Sequence, residues 1–410
     1  MNKRITFFFT LLLVCVCTFG QKTYSITVVN DMKSSRTSEP VVINLNALSV
    51  KTNSAIVTYE GKEVPYQLDD LNDDGIYDEL CFLTNIDKKE KKTFNVTLYP
   101  TGKPKSYPSQ VYVEMLLSNK KIKESNKQDL YISQLTVDNG VNAYWAIHHH
   151  GAAFENELVA YRIYFDHRQT VDIYGKYNKG LELKETQFYP DNSQKANGYG
   201  DDVLWVGSTL GLGTLRGWDG SQPVMLNDVE KRSQRIVSRG PLRTIVEVKD
   251  KGWTILPNGT PIDMTTLYTL YAGQRACDVS ATFNRDAEEY DFATGFINVK
   301  NSTEFSDGNG LRGCWGTDWP VSAKDSVGHK RETVGLGIFI PNKHIKKEVS
   351  ADKHNYAFVV GANGNSLNYS ITFCSDNESF GYHNDKDWYN YLKEWKQKKL
   401  HPLQVTIKEL

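Results

Sequence analysis

The sequence predicts an all-β protein in which a small N-terminal β-sandwich is followed by a large antiparallel β-sandwich. Short segments rich in Val, Ile, Thr, Tyr and Phe alternate apolar and polar residues, as half-buried strands do. Turn-forming residues separate these segments, and apolar residues at helical spacing are scarce. No repeat of fixed period is present, which disfavours a propeller.

The first 20 residues have the pattern of a secretory signal peptide. Lys3 and Arg4 precede an apolar run at 5–16, and the small residue Gly20 precedes Gln21. The run has about 12 residues, whereas a helix that spans a bilayer needs roughly 20. Valines precede both cysteines of this segment, where a lipoprotein signal has small residues. We therefore expect a signal peptide at 1–20 and a periplasmic or secreted protein, with lipid anchoring disfavoured and no membrane span.

Residues 21–105 are predicted to form the N-terminal sandwich and residues 106–410 the large one. A connection that contains Pro and Lys lies between them, at 101–109. The clearest strand patterns lie at 24–29, 41–45, 94–99, 205–208, 244–248 and 264–271.

One helix and two long loops are predicted in the large domain. The helix lies at 387–399, and its apolar face carries Trp388, Tyr391, Leu392 and Trp395. The segments 191–202 and 301–325 are long, polar and contain aromatic residues. Loops of this kind commonly lie over a binding face.

Charge and composition narrow the class of ligand. Lys and Arg total 48 against 49 for Asp and Glu, so the basic surface that nucleic acid requires is not expected. The chain contains 23 Tyr and 8 Trp, many of them in polar segments. Aromatic faces stack on the apolar faces of sugar rings, while Tyr and Trp keep a polar group for hydroxyls. The composition favours a carbohydrate ligand, although an aromatic-rich β-sandwich core would give the same counts.

Four cysteines follow the signal peptide: Cys81, Cys277, Cys314 and Cys374. They form no C-x-x-C pair and do not resemble a zinc site. A secreted protein can form disulfides, but Cys81 and Cys374 lie within strand patterns that indicate core. We expect a fold that does not depend on disulfide bonds.

The segments 144–150 and 160–168 hold four of the nine histidines, two arginines and three tyrosines. The second segment is predicted to be a strand, because it is rich in β-forming residues. Side chains alternate along a strand, so Arg162 and Tyr164 are expected on one face. By the same rule His148 and His150 share a face, with His149 opposite. The alternative is a strand edge whose polar residues are only solvated.

The loop at 70–79 resembles the start of a calcium site. Asp70, Asn72 and Asp74 alternate, Gly75 permits a sharp turn, and Asp78 adds a carboxylate. The bidentate Glu that closes a full calcium loop is missing, because a cysteine occupies the twelfth position. The sequence predicts a structural Ca²⁺ at these residues, with a hairpin turn held by Asx hydrogen bonds as the alternative.

Several motifs resemble one family over nearly the whole mature chain. The most specific is Ala-Tyr-Arg-Ile-Tyr-Phe-Asp-His-Arg at 160–168, followed by Asp-Ile-Tyr-Gly-Lys at 172–176. Weaker motifs lie at 36–40, 65–67, 78–80, 387–388 and 402–403. With these motifs the chain resembles the domain of unknown function family 4861. The resemblance implies a supersandwich of the galactose-mutarotase type. It also implies secreted breakdown of pectin-like or other uronate glycans by proteins of polysaccharide-utilisation loci, without an established reaction.

A lyase acting on such a glycan by β-elimination must neutralise the sugar carboxylate, remove the C5 proton and protonate the leaving oxygen. An arginine fork can hold the carboxylate, and an imidazole or a tyrosine can move the proton. The predicted catalytic residues are His149, Arg162, Tyr164, His167 and Arg168. The predicted substrate contacts are Tyr144, His150, Lys176, Trp315 and Trp319.

Three other functions stay open. A glycan-binding protein would use the same cleft without chemistry. A glycoside hydrolase needs two carboxylates beside the bond, and the candidates are Glu155, Glu157, Asp166, Asp201 and Asp202. A mutarotase-like epimerase would pair a His with a Glu, such as His149 with Glu247. Further stacking candidates are Trp205, Trp218 and Trp253, for which burial in the core is the alternative role.

Overall fold

The computed structural model of the protein describes residues 20–48 and 50–410. Antiparallel strands dominate this part of the chain, so the predicted all-β class is confirmed. Residues 1–19 of the predicted signal peptide lie outside the described residues. Among the helices of the described residues, none has the length and apolar character needed to cross a membrane.

The N-terminal region is a two-sheet sandwich. Its strands are β1 (Lys22–Val29), β2 (Arg36–Asn44), β3 (Ser54–Tyr59), β4 (Lys62–Glu63), β5 (Tyr66–Asp69), β6 (Glu79–Ile86) and β7 (Lys91–Tyr99). One sheet contains β1-β7-β3-β4 and the other β2-β6-β5. Every second residue of β1 is buried, beginning at Tyr24, because alternate side chains point into the space between the sheets.

Twenty-two strands follow in the described part of the chain, and all but three of them form the large sandwich. They are β8 (Val111–Glu114), β9 (Leu116–Leu117), β10 (Leu130–Tyr131), β11 (Gln134–Asp138), β12 (Gly151–Asn156), β13 (Ala160–Tyr164), β14 (Val171–Gly175), β15 (Asp201–Asp202), β16 (Arg216–Trp218), β17 (Pro223–Val224), β18 (Lys231–Arg239), β19 (Arg243–Trp253), β20 (Ile262–Tyr271), β21 (Cys277–Phe283), β22 (Phe292–Ile297), β23 (Thr303–Ser306), β24 (Leu311–Asp318), β25 (Glu332–Phe339), β26 (Ile345–Glu348), β27 (Asn355–Val360), β28 (Ser366–Ser375) and β29 (Gln404–Glu409).

Three sheets build the large sandwich. The largest has nine strands in the order β11-β18-β19-β20-β21-β28-β25-β24-β23. Two five-stranded sheets, β15-β14-β13-β12-β8 and β17-β16-β22-β27-β26, share one hydrophobic core with it. Ile163 of β13, Phe296 of β22 and Tyr268 of β20 belong to that core. The predicted large antiparallel sandwich is therefore confirmed.

Helices are few, as predicted. The α-helices are α1 (Leu183–Thr186), α2 (Asn192–Ala196) and α3 (Asp385–Leu400), and the short 3₁₀ turns are Asn46–Leu48, Ser125–Lys127, His148–His150, Ala323–Asp325 and Asn342–His344. The segment around α1 covers the outer face of the β12-β13-β14 sheet, where Leu183 and Phe188 pack on Tyr174.

Helix α3 matches the helix predicted at 387–399 and packs on β24 and β25. Asn384 caps its first turn by accepting the Asp387 backbone N–H at 2.9 Å. Trp388 and Leu392 are buried against the sheet, and the Trp388 indole N–H donates to the Leu336 carbonyl at 3.2 Å. The helix approaches closely because the strand has Gly335 beneath the indole. A Cβ there would lie 2.8 Å from the ring.

Two predictions about chain organisation need correction. The segment 301–325 contains two paired strands, β23 and β24, because its aromatic and glycine residues pack beneath α3. Strand β29, assigned above to the 106–410 region, pairs along its whole length with β1 of the N-terminal sandwich. The predicted loop 191–202 carries α2 and β15. The four cysteines of the described residues are buried free thiols.

The two sandwiches are joined by a buried polar network. Arg243 of β19 reaches Asp69 at 2.7 Å and Glu79 at 2.7 Å, both in the N-terminal sandwich. Gln67 accepts the Leu242 and Arg243 backbone N–H groups at 2.7 and 3.0 Å. Charged hydrogen bonds removed from water are strong and directional. They therefore fix the N-terminal sandwich against the β18–β19 hairpin.

Candidate functional site

The hairpin β13–β14 positions the residues that the sequence singled out. Strand β13 ends at Tyr164, and residues 165–170 form a turn that carries His167 and Arg168. Arg162 and Tyr164 share the outer face of the sheet, with Arg162 Nη2 3.2 Å from the Tyr164 hydroxyl. The same-face prediction for this pair is confirmed. The strand is shorter than predicted, because Phe165 and the turn leave the sheet.

Arg162 is the centre of a buried charge network. Its guanidinium donates to Asp172, its cross-strand neighbour on β14, and to Asp202 at 3.1 Å. The Phe188 ring lies 3.9 Å from the guanidinium carbon. Burial and the neighbouring Asp172 raise the pKa of Asp202, although Arg162 opposes this shift. Arg162 is thus enclosed by protein groups and holds the hairpin and the β15 strand together.

The histidine run does not form a strand. Residues 148–150 are a 3₁₀ turn in which His149 and His150 have φ of 42° and 69°. The predicted alternation of His148 and His150 against His149 is therefore wrong. The sequence feature that indicates a turn here is Gly151. A Cβ added at this position would lie 1.7 Å from the Ile163 carbonyl oxygen. Only a glycine allows the chain to enter β12 at that point.

His149 faces the interior and pairs with a residue that the sequence analysis missed. Its Nε2 lies 3.1 Å from Glu114 Oε1, and both side chains are fully buried. Burial, assisted by the Arg162 charge, lowers the pKa of His149 to about 3. Burial raises the pKa of Glu114 to about 8. Both side chains are enclosed in the interior, where a polymeric substrate does not reach them, so the structure contradicts a catalytic role for His149.

Beside this turn lies a stack that we call the aromatic–arginine cluster, in which Trp145 is exposed, Tyr144, His150 and Arg168 are half-buried, and Tyr164 is buried. The Tyr144 and His150 rings are parallel, with centroids 3.8 Å apart. Trp145 lies edge-on to both rings and is 77% exposed. The Arg168 guanidinium lies 4.7 Å from the Tyr144 ring and 5.1 Å from the Tyr164 ring. The Asp166 carboxylate forms an ion pair with the Arg168 guanidinium at 2.7 Å.

The protonation state of His150 follows from its contacts. Nδ1 donates to the Tyr144 carbonyl at 3.0 Å, which leaves the lone pair on Nε2. Burial lowers the pKa of His150 to about 4, and the charge of Arg162 acts in the same direction. His150 is therefore a neutral imidazole at physiological pH, with an acceptor nitrogen beside a guanidinium.

Two depressions flank the turn that carries Arg168. The smaller, the His167 depression, has a volume of about 170 Å³ and is lined by Asn139, Asn142, Asp166, His167, Asn227 and Arg232. The larger, the Trp205 cavity, has a volume of about 480 Å³, and its lining includes Trp205, Ser208, Arg216, Asn298, Asp318 and Lys353. Arg216 donates to the Arg168 carbonyl at 3.0 Å, so the cavity wall is bonded to the turn that carries Arg168.

Three predicted substrate contacts lie elsewhere. Lys176 is fully buried and donates to Glu155 at 2.5 Å and to the Asn156 and Gly180 carbonyls, so all three ammonium protons are used. Trp315 packs against a different group of side chains, the hydrophobic residues between α3 and its sheet. The structure contradicts substrate contact for Lys176 and places Trp315 in a packing role. Trp319 is half-buried, with its carbonyl bonded to the Trp205 N–H and the Arg331 guanidinium 5.3 Å from its ring.

The carboxylates proposed for other chemistries already have partners. Asp201 pairs with Lys195, Asp166 with Arg168, Asp202 with Arg162 and Glu155 with Lys176, while Glu157 accepts the Gly273 N–H at 3.2 Å. Glu247 pairs with Arg235 at 3.1 Å, whereas His149 pairs with Glu114. The structure therefore does not bring His149 and Glu247 together. Of the other Trp candidates, Trp253 and Trp218 are buried.

The acidic loop is a compact turn of the N-terminal sandwich. Asp70 accepts the backbone N–H groups of Asp73 and Gly75, both at 2.7 Å. Asp74 accepts from Ile76 at 2.8 Å, and Asp78 accepts from Leu71 at 2.7 Å. These are the Asx hydrogen bonds of the alternative named above. No cluster of three or more metal-binding side chains occurs in the described part of the chain, and Ca²⁺ at Asp70, Asn72, Asp74 and Asp78 stays a prediction.

Sequence reasoning missed Trp145, Glu114 and Asp172. Asp172 had a usable signal. If 160–164 and 171–175 form a hairpin, Arg162 lies opposite Asp172, and opposite charges stabilise such cross-strand pairs. No sequence pattern could have indicated Glu114. It lies on another strand, β8, and pairs with His149 only after the large sandwich forms.

Comparison with known proteins gives a family. No functionally curated protein matches the chain. Two solved structures from Enterococcus faecalis resemble it, each with a TM-score of 0.49: an alpha-mannosidase at 10% identity and a protein in glycosyl hydrolase family 38 at 9% identity. Each likeness covers 94% of this chain but only 46% and 47% of the respective matched chains, so this chain spans about half their length. A family model described as Domain of unknown function (DUF4861) matches residues 28–405, and the chain belongs to that family.

Proposed function

We propose that the protein binds uronate-containing glycans at the aromatic–arginine cluster and cleaves them by β-elimination. The observation that supports this most is the neutral His150 imidazole stacked on Tyr144 beside the Arg168 guanidinium. These two groups meet the first two needs of an elimination, a base for the C5 proton and a cation for the sugar carboxylate. Trp145 adds an exposed ring on which a sugar face can stack.

The reaction balances with groups of this chain alone. Arg168 binds the uronate carboxylate and stabilises the negative charge that develops when the C5 proton leaves. Nε2 of His150 takes that proton, and the electron pair forms the C4–C5 double bond as the bond from C4 to the glycosidic oxygen breaks. The imidazolium then returns its proton to the leaving oxygen. Arg162 and Asp172 act as positioning residues, because they hold Tyr164 under the stack.

The test follows two products from a panel of pectic and other uronate glycans. A lyase gives ultraviolet absorbance from unsaturated ends together with new reducing ends. We expect His150→Ala to lower kcat by a factor on the order of 10² to 10⁴, the range for loss of a general base. His401→Ala is the matched control, because this exposed histidine lies outside the cluster. Full activity of His150→Ala would remove the base from the proposal.

The second candidate is a glycan-binding protein without chemistry. It is favoured by Asp166, which already neutralises the Arg168 guanidinium at 2.7 Å. This candidate requires saturable binding of the same glycans with neither new absorbance nor new reducing ends. It also requires that Trp145→Ala weakens binding, while His150→Ala leaves a protein that still binds.

A further inference from the structure

The Trp205 cavity is a second place where a sugar unit fits. We propose that it is a uronate subsite that binds a further unit of the glycan held at the aromatic–arginine cluster. The inference rests on the proposed function and deepens it, because it gives the site more than one sugar-binding position. The volume of the Trp205 cavity, about 480 Å³, falls within the range of small-molecule sites.

The cavity presents an aromatic platform. Among the tryptophans of the described residues, only Trp145 and Trp205 are more than a third exposed, and Trp205 is 47% exposed. Its position is fixed by its backbone N–H, which donates to the Trp319 carbonyl at 3.2 Å. The backbone of Gly207 lies against the indole, since a Cβ there would be 3.3 Å from Nε1. An exposed, immobilised indole in a cavity suits the apolar face of a sugar.

The cavity also has an uncommitted cation. Lys353 lines it, is exposed, and has no hydrogen-bond or ion-pair partner among the described residues. The two acidic residues of the lining are engaged with backbone amides. Asp318 accepts the Trp319 N–H at 2.8 Å, and Asp352 accepts the Asn355 N–H at 2.7 Å. Lys353 is therefore free to pair with a ligand carboxylate, which selects a uronate over a neutral sugar.

Arg216 connects the cavity to the cluster. Its guanidinium donates to the Arg168 carbonyl at 3.0 Å, to the Ser208 carbonyl at 2.9 Å and to the Thr209 carbonyl at 2.7 Å. These bonds tie the cavity wall to the turn that carries Arg168. Burial lowers the pKa of Arg216 to about 10, so it stays charged at neutral pH. The proposed subsite and the cluster are therefore held against the same turn.

The experiment measures binding of digalacturonate and hexagalacturonate by calorimetry. We expect the hexamer to bind more tightly than the dimer, and Trp205→Ala to weaken hexamer binding roughly tenfold, as loss of a central aromatic contact does. Lys353→Met should weaken binding of the hexamer but not of its fully methyl-esterified form. Lys347→Met is the matched control, because Lys347 is an exposed lysine outside the cavity lining.

Failure of the inference and failure of the proposed function are distinguishable. Unchanged hexamer affinity in both Trp205→Ala and Lys353→Met, together with weaker binding in Trp145→Ala, overturns the subsite and leaves the cluster as the binding place. If the unaltered protein binds neither galacturonate oligomer nor alginate oligomers, the proposed uronate specificity fails and the subsite fails with it.

Discussion

Replacing Arg162 with Met tests whether the buried charge network stabilises the candidate site. The substitution keeps an apolar stem beside Phe188 but leaves Asp172 and Asp202 without their cation. Removing one partner of a buried ion pair costs about 3–5 kcal/mol, because the remaining charge stays in a poorly solvated place. We expect Arg162→Met to lower the free energy of unfolding by that amount at pH 8. The measurement is urea unfolding followed by tryptophan fluorescence.

The pH dependence of this cost gives a second, independent check. The pKa of Asp202 is raised in the folded protein by burial and by Asp172, and Arg162 limits the rise. A raised native pKa means that this group's stabilising contribution is present below its unfolded pKa and is lost as the pH rises through the native value. Without Arg162 the rise is larger, so the variant should lose more stability at pH 8 than at pH 5.

Two controls decide the interpretation. Adding Asp172→Asn and Asp202→Asn to Arg162→Met removes the unpaired charges and should recover part of the loss. Lys231→Met breaks the exposed pair with Asp138 and should cost no more than about 1 kcal/mol. A loss below about 1 kcal/mol for Arg162→Met, or no recovery in the triple variant, would refute the reasoning.

Three further predictions concern stability. Trp388→Ala should lower the free energy of unfolding by about 3–5 kcal/mol in urea, because the indole is fully buried between α3 and the sheet, whereas exposed Trp145→Ala should change it by about 0.5 kcal/mol. The pKa of Glu114 is raised to about 8, so its contribution is lost as the pH rises through 8, and Glu114→Gln should abolish this component of the pH–stability curve. Calcium should raise Tm over chelator in the unaltered protein but not in Asp74→Asn; equal Tm values with and without calcium would assign the loop to Asx turns alone.

Local patterns predicted the parts of the fold that depend on local interactions. The apolar face of α3 and the period-two strands were visible because burial imposes those spacings on the sequence itself. Arg162 and Tyr164 were placed on one face for the same reason. The histidine turn was predicted wrongly because φ values of 42° and 69° at His149 and His150 depend on how Gly151 meets the neighbouring strand.

The sequence could not predict which polar side chains of the candidate site would be buried. Lys176 and His149 have residue types typical of a substrate site, yet their partners, Glu155 and Glu114, enclose them in the interior. These pairings are set by strand order and by the α1 segment that covers the sheet, so no spacing in the sequence encodes them. Trp145 was overlooked for the opposite reason, since nothing in its neighbourhood distinguishes an exposed indole from a core one.

The pairing of β29 with β1 has a consequence for how the protein is made. Lys22 and Glu409 are 387 residues apart in the sequence, yet their side chains lie 3.0 Å apart across this pair of strands. The N-terminal sandwich is therefore synthesised first but receives its last strand only after the large sandwich has been made. Until then β1 pairs with β7 on one side only. The backbone groups of its other side have no partner strand and can pair with another chain. The N-terminal sandwich is completed by a strand that follows the large sandwich in the chain.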